Sequence, residues 1–122
     1  MPSTMTSSFR AGDVVLVTVP FTDGTGGKRR PAVVLLDVGD ADVVVAPITS
    51  RLRPSTYHVD IVEWESAGLL KPSLVRLHKP ATVDRTLVEQ RLGRLHLADR
   101  RRLDTGLNGL QADIETALAS PD

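Results

Sequence analysis

Three short basic runs hold the residue types from which a phosphate-directed chemistry could be built. They are Lys28-Arg29-Arg30-Pro31, the stretch Pro47-Ile48-Thr49-Ser50-Arg51 with Arg53 just beyond, and the group Arg76, His78 and Lys79. A guanidinium offers a fixed fork of N–H donors that matches phosphate oxygens, and a hydroxyl such as that of Thr49 or Ser50 can donate one more hydrogen bond. The same residues have plainer uses. Arg29 and Arg30 precede an apolar run and could mark its solvent edge; Thr49 is β-branched and could serve packing; Arg51 and Arg53 could belong to a solvated loop. His58, His78 and His96 show no metal-ligand spacing, so no metal site is expected. Nor do they form a clear pair for acid–base work, and only His78, beside Arg76 and Lys79, is a marginal catalytic candidate. Gly24-Thr25-Gly26-Gly27-Lys28 lacks the Gly-Lys-Ser/Thr order that opens a nucleotide-binding helix, so it reads as a gating loop or a plain hairpin loop. Trp64 could stack on a base, or cover a core edge. Arg100-Arg101-Arg102 reads as the wet face of a helix.

These groups act in a chain whose overall charge is zero, with 15 Lys+Arg against 15 Asp+Glu among 122 residues. Bulk attraction to nucleic acid is therefore excluded, and any such contact must come from a local patch. Acidic residues gather elsewhere, at Asp37 to Asp42, Asp60 to Glu65 and in the last third. The length predicts one domain, residues 9–122, after a loose polar tail over residues 1–8 that has no features of a secretory signal. Hydrophobic residues at 41% and charged residues at 25% fit a folded soluble protein. No apolar run is long enough to span a bilayer. The absence of cysteine excludes disulfides and thiolate metal sites, which suits a reducing cytoplasm.

The elements that must hold the basic runs are mostly short strands. Val14 to Val19 is a β-branched run between the Gly12-Asp13 turn and Pro20; Ala32 to Leu36 reads as a strand buried on both faces; Val43 to Thr49 follows a turn at Asp37 to Asp42. Short connections predict antiparallel neighbours. Tyr57 to Val62, Ser73 to Leu77 and Val88 to Leu92 are further strands, and Glu63 to Leu69 a helical turn closed by Gly68. From Leu97 the period changes: Leu103, Leu107, Leu110, Ile114 and Leu118 form the stripe of an amphipathic helix, weakened by Gly106 and Gly109. Five or six strands and a terminal helix docked by its Leu stripe imply a mainly β (α+β) fold, a small bent sheet or barrel with the helix outside.

Several stretches resemble the MazF/PemK toxins. In chain order they are Gly12-Asp13-Val14-Val15-Leu16-Val17 leading to Pro20-Phe21-Thr22-Asp23, then Lys28-Arg29-Arg30-Pro31-Ala32-Val33-Val34-Leu35 and Ala46-Pro47-Ile48-Thr49-Ser50-Arg51. Gly68-Leu69-Leu70-Lys71-Pro72-Ser73 and Arg91-Leu92-Gly93-Arg94-Leu95 complete the set. The resemblance runs from Phe9 to about Leu110. It implies an SH3-like barrel of the CcdB/MazF type that pairs as a homodimer, and the toxin of a type II toxin–antitoxin system. The activity it implies is metal-independent, cofactor-free cleavage of single-stranded RNA at short sequences, giving 2′,3′-cyclic phosphate and 5′-hydroxyl ends.

The resemblance implies catalysis by Arg30 and Thr49; Ser50 and Arg51 beside Thr49 could complete a phosphate site, and the clustered Lys28, Arg29, Arg53, Arg76, His78 and Lys79 are the candidates for RNA contact. Arg30 suits transition-state charge stabilisation, since an Arg pKa above about 12 makes it a poor base; the proton acceptor stays open. The implied partner is an antitoxin whose disordered acidic C-terminal segment folds over the basic groove, operator DNA being reached only through that antitoxin. Two other functions compete: a CcdB-like toxin that binds DNA gyrase through its C-terminal helix without cutting RNA, and a catalytically inactive family member that regulates its own operon. The glycine-rich stretch Asp23 to Gly27 departs from the residues that RNA-cutting members carry there.

Overall fold

The computed structural model describes residues 8–20, 27–52 and 55–121. Residues 1–7 of the expected tail, the glycine-rich loop before Gly27, and Arg53 lie outside the described residues.

Seven strands and one long helix follow in order: β1 (Asp13–Pro20), β2 (Gly27–Leu36), β3 (Asp42–Thr49), β4 (His58–Ile61), β5 (Ser73–Arg76), β6 (Ala81–Asp84), β7 (Val88–Arg94) and α1 (Leu97–Leu118). A 3-10 turn, Arg85–Leu87, links β6 to β7. The strands lie in the order β4-β5-β3-β2-β1-β7, with β6 beside the first half of β3, and every pairing is antiparallel, as the short connections predicted. The strand absent from the sequence reading is β6. It has four residues of which only Val83 is even half-buried, so it carries no alternation to read.

Val-rich alternation builds the core on both faces of the central strands. On one face Val14, Val33, Ala46 and Ile48 join Val59, Val75, Leu77 and Leu103 of α1; on the other Val15, Val17, Ala32, Val34, Val43 and Val45 pack beneath Phe9, Val83, Leu87 and Val88. The expectation of a second strand buried on both faces therefore holds for Ala32 to Val34, while Leu36 is 55% exposed. The turn into β3 is fixed by Gly39 at φ +88°, with the Asp37 carboxylate accepting from the Gly39 amide at 2.8 Å. The other Asp37 oxygen accepts from the Phe9 amide at 2.8 Å and from Arg85 at 2.9 Å, and the hydrogen bond from Arg85 holds this carboxyl well below the usual range.

The helix starts at Leu97, capped by His96, whose Nδ1 accepts from the Ala98 amide at 3.1 Å. In its first turn the buried Asp99 carboxylate accepts from the amides of Val62 (3.1 Å) and Glu63 (2.9 Å) and pairs with Arg102. Burial pushes the Asp99 pKa up, but those hydrogen bonds outweigh it and leave the group below its ordinary value. The Leu stripe docks only in part. Leu103 is buried and Leu107 and Leu110 pack on the core, whereas Ile114 is 50% and Leu118 81% exposed. The arginine run is not uniformly wet either: Arg100 is half-buried, with its Cδ 2.7 Å from where a Cβ on Gly12 would stand. Trp64 packs against the core, its plainer reading.

Candidate nucleic-acid groove

Pro47 in β3 marks the place where the sheet divides. Residues Asp42 to Val45 of β3 pair with β6, whereas Ile48 and Thr49 pair with Val75 and Leu74 of β5. On its other side β3 pairs with β2 only as far as Ala32↔Pro47. Two steps further along that register Thr49 would stand opposite Arg30, but no ladder continues there. A proline cannot donate to a ladder, which makes Pro31 and Pro47 natural points for the pairing to stop. The strand ends open instead into a groove of about 900 Å³ that Arg30, Pro31, Ile48 and Thr49 all line.

The groove carries four cations, Arg30, Arg51, Lys71 and Arg76, and three hydroxyl side chains, Thr49, Ser50 and Ser73. No carboxylate or imidazole lines it among the described residues. Around these polar groups stand apolar walls: Leu16 of β1, Leu69 and Leu70 of the turn after β4, and Leu92 of β7. That turn fits against β7 through two glycines. Gly68 has φ +87°, and a Cβ on it would stand 2.2 Å from the Leu92 carbonyl oxygen; a Cβ on Gly93 would stand 2.5 Å from that of Ala67. Leu70 is 92% exposed at the rim.

Thr49 is oriented by its own backbone. Its Oγ1 accepts from the Arg51 amide at 3.1 Å, which leaves the hydroxyl proton free to donate into the groove. Arg76 is half-buried, and its Nε is buried without a hydrogen-bond partner.

The sequence candidates separate accordingly. Arg30, Thr49, Ser50, Arg51 and Arg76 come together in the groove, while Lys28, Arg29, His78 and Lys79 are exposed outside its lining and Arg53 lies outside the described residues. Arg29 is already engaged: its Nε meets Glu89 of β7 at 3.1 Å, and Glu89 also accepts from the Thr18 hydroxyl. Glu89 sits in a bulge, since Leu16↔Gln90 is followed by Val17↔Val88 and leaves Glu89 as the extra residue. A second bulge leaves Leu92 extra between Gly93 and Arg91, and it is this residue that lines the groove. Lys71 was missed in the sequence reading, although it sits inside the Gly68-to-Ser73 motif.

The sequence shows no clear histidine pair for acid–base work, and the fold brings two imidazoles near each other without placing either in the groove lining. The fold sets the rings of His58 and His78 6.0 Å apart, with His58 cross-strand from Arg76 and Tyr57 5.9 Å from His78. Desolvation, with Arg76, Lys79 and His58 nearby, pushes the His78 pKa down. Both His58 nitrogens are buried without partners. His58 and His78 are twenty positions apart in the chain, so only the β4–β5 register could reveal their approach. Among the described residues no cluster of three or more His, Cys, Asp or Glu could hold a metal ion.

Residues 10–110 match the family described as "PemK-like, MazF-like toxin of type II toxin-antitoxin system". The chain belongs to this family. Solved structures agree on the fold. A MazE–MazF crystal structure from Deinococcus radiodurans superposes with a TM-score of 0.73 at 19% identity, covering 88% of this chain and 98% of its own. An endoribonuclease in complex with its cognate antitoxin from a mycobacterial species gives 0.68 at 19% identity, covering 86% and 96%. The Mycobacterium tuberculosis toxin MazF-mt6 gives 0.63 at 21% identity, covering 78% and 93%. The barrel-like antiparallel sheet with a C-terminal helix is thus the MazF fold, here as an open path from β4 to β7. No protein of curated function matches the chain by sequence. No helix among the described residues is long and apolar enough to cross a membrane.

Proposed function

We propose that this toxin is a metal-independent endoribonuclease that cleaves single-stranded RNA in the groove between β2, β3 and β5. The observation that carries the reading is the separation of charge: a neutral chain concentrates four cations and three hydroxyls around one groove with no carboxylate among its lining residues. A polyanion with apolar bases matches both its cationic floor and its Leu rim.

In the reaction the ribose 2′-hydroxyl attacks the adjacent phosphorus and releases its proton to water, the P–O5′ bond breaks, and O5′ takes up a proton from water, leaving a 2′,3′-cyclic phosphate and a 5′-hydroxyl. Charge builds on the phosphoryl oxygens. Arg30, in β2 beyond its last pair with β3, clamps those oxygens, and the Thr49 hydroxyl, its acceptor side occupied by the Arg51 amide, donates to one of them. Arg51 and Arg76 hold the flanking phosphates. With no acid–base pair in the lining, the groove works chiefly by charge stabilisation.

The same groove suits an acidic C-terminal segment of an antitoxin, which would cover Arg30 and displace RNA. An antitoxin partner is supported by two structural neighbours, a MazE–MazF structure and an endoribonuclease in complex with its cognate antitoxin. We assign residues 9–122 to one domain, a homodimer as the working unit, a cytoplasmic site of action, and operator DNA contact only through the antitoxin. Purified protein incubated with single-stranded RNA in EDTA should cut at a few defined short sequences and leave cyclic-phosphate ends. Inhibition of gyrase supercoiling without RNA cleavage would replace this reading with that of a CcdB-like toxin.

A further inference from the structure

One carboxylate next to the groove has a dedicated structural device behind it and no place in the cleavage scheme. Glu89 is the extra residue of a β-bulge in β7. Bulges re-aim a side chain, and this one turns the carboxylate onto the β1–β2 ribbon. There Oε1 forms an ion pair with Arg29 Nε at 3.1 Å and Oε2 accepts from the Thr18 hydroxyl. Thr18 and Arg29 face each other across the β1–β2 ladder, two residues beyond the pair Leu16↔Pro31. Leu16 and Pro31 are walls of the groove. By strand alternation the Thr18–Arg29–Glu89 group therefore continues the same face about 7 Å past that wall.

Such a group is poorly suited to a phosphate. The carboxylate repels it and already holds the Nε of the nearest guanidinium, which would otherwise be the phosphate donor. Three properties suit a base edge. The side chains are solvent-facing, at 69% exposure for Arg29 and 31% for Glu89. Each carboxylate oxygen keeps an unused lone pair, and Arg29 keeps its terminal N–H groups. An acceptor pair and a donor thus stand side by side. Guanine complements both: its N1–H and N2–H2 donate in parallel to a carboxylate, while its adjacent O6 accepts from a guanidinium. Adenine and cytosine offer a single amino donor on that edge, and uracil offers one ring N–H.

We propose that Glu89, oriented by Thr18 and Arg29, forms a base-reading subsite for guanine at the end of the groove. The site rests on the RNA-cleavage reading and gives it a sequence preference. Binding can be tested apart from cutting with short 2′-O-methyl oligoribonucleotides, which lack the attacking hydroxyl. Fluorescence anisotropy would compare guanine, inosine, adenine, cytosine and uracil at each position in turn. Inosine lacks only the exocyclic amino group. At one position, guanine should bind about tenfold more tightly than inosine. Glu89→Gln should bring the two within about twofold, and Arg29→Ala should erode the preference while leaving the carboxylate. Binding without a guanine preference, or a guanine preference untouched by Glu89→Gln, would overturn the site and leave the RNA reading standing. Failure of every oligonucleotide to bind would overturn both.

Discussion

Gly106 and Gly109 lie one turn apart on α1, and the two should respond to the same substitution with opposite signs. Alanine at an exposed helix position stabilises by about 1 kcal/mol relative to glycine. At Gly109 nothing stands within 4 Å of the added Cβ, so Gly109→Ala should realise most of that gain. At Gly106 the Cβ would stand 2.6 Å from Leu77 Cδ1 and 2.9 Å from Val59 Cγ2. Neither neighbour can step aside cheaply, since Leu77 is fully buried and Val59 is a stiff β-branched residue in β4. Overpacking of this kind costs about 1–3 kcal/mol. Set against the same propensity gain, Gly106→Ala should come out destabilising by about 1 kcal/mol, and the two variants should differ by about 2 kcal/mol. Urea unfolding at one fixed protein concentration, with unchanged m values, measures the difference directly. A Gly106→Ala protein as stable as Gly109→Ala would refute the close approach of α1 to Val59 of β4 and to Leu77 just after β5. The glycine would then be an ordinary weak point of the helix.

Arg30→Ala should lower single-turnover RNA cleavage by about 10²-fold or more, with a smaller effect on binding, because its contribution grows with transition-state charge. Thr49→Ser keeps the donor and should stay active, whereas Thr49→Val should lose most activity while folding normally; an active valine variant would remove the hydroxyl from the mechanism. RNA affinity should fall with salt with a log–log slope of about −3, from four lining cations at about 0.7 each for a single strand; a slope near zero would contradict a phosphate-holding groove. Asp99 and Asp37 both have folded pKa values below the unfolded value of 3.8. Their contribution to stability is complete above the ordinary carboxylate range and should be lost as pH falls below it. Asp99→Asn, which cannot satisfy the amides of Val62 and Glu63 and Arg102 together, should cost about 2 kcal/mol at neutral pH and flatten the acid dependence of unfolding.

The strands were legible where valines crowd. β1, β2 and β3 announce themselves because a β-branched run between turn residues has few alternatives. The helix was legible from its period, but not how far it docks, since Ile114 and Leu118 continue the stripe past the last strand able to receive it. Within the site, Arg30 and Thr49 were legible from flanking motifs. What no local pattern contains is the partner exchange of β3 at Pro47, which makes a groove of two strand ends that simple register would have zipped shut. The same holds for the His58–His78 approach and for the bulge at Glu89, both products of pairing between distant segments. The flanking motif already set Arg30 apart from Lys28 and Arg29, but only the fold shows that Arg30 lines the groove while Arg29 pairs with Glu89 across the sheet.

The pairing of β1 with β7 has a consequence for the timing of activity during synthesis. The first strand to leave the ribosome finds one of its two neighbours only when Val88–Arg94 has been made, and the groove needs Leu92 from that late strand. With chain growth at about 5–20 residues per second, Arg30 and Thr49 exist for seconds in a nascent chain that cannot complete the site around them. A chain proposed to cut RNA would thus stay unarmed next to the message that encodes it. The groove would become complete only after that late strand has been made and has paired with the first.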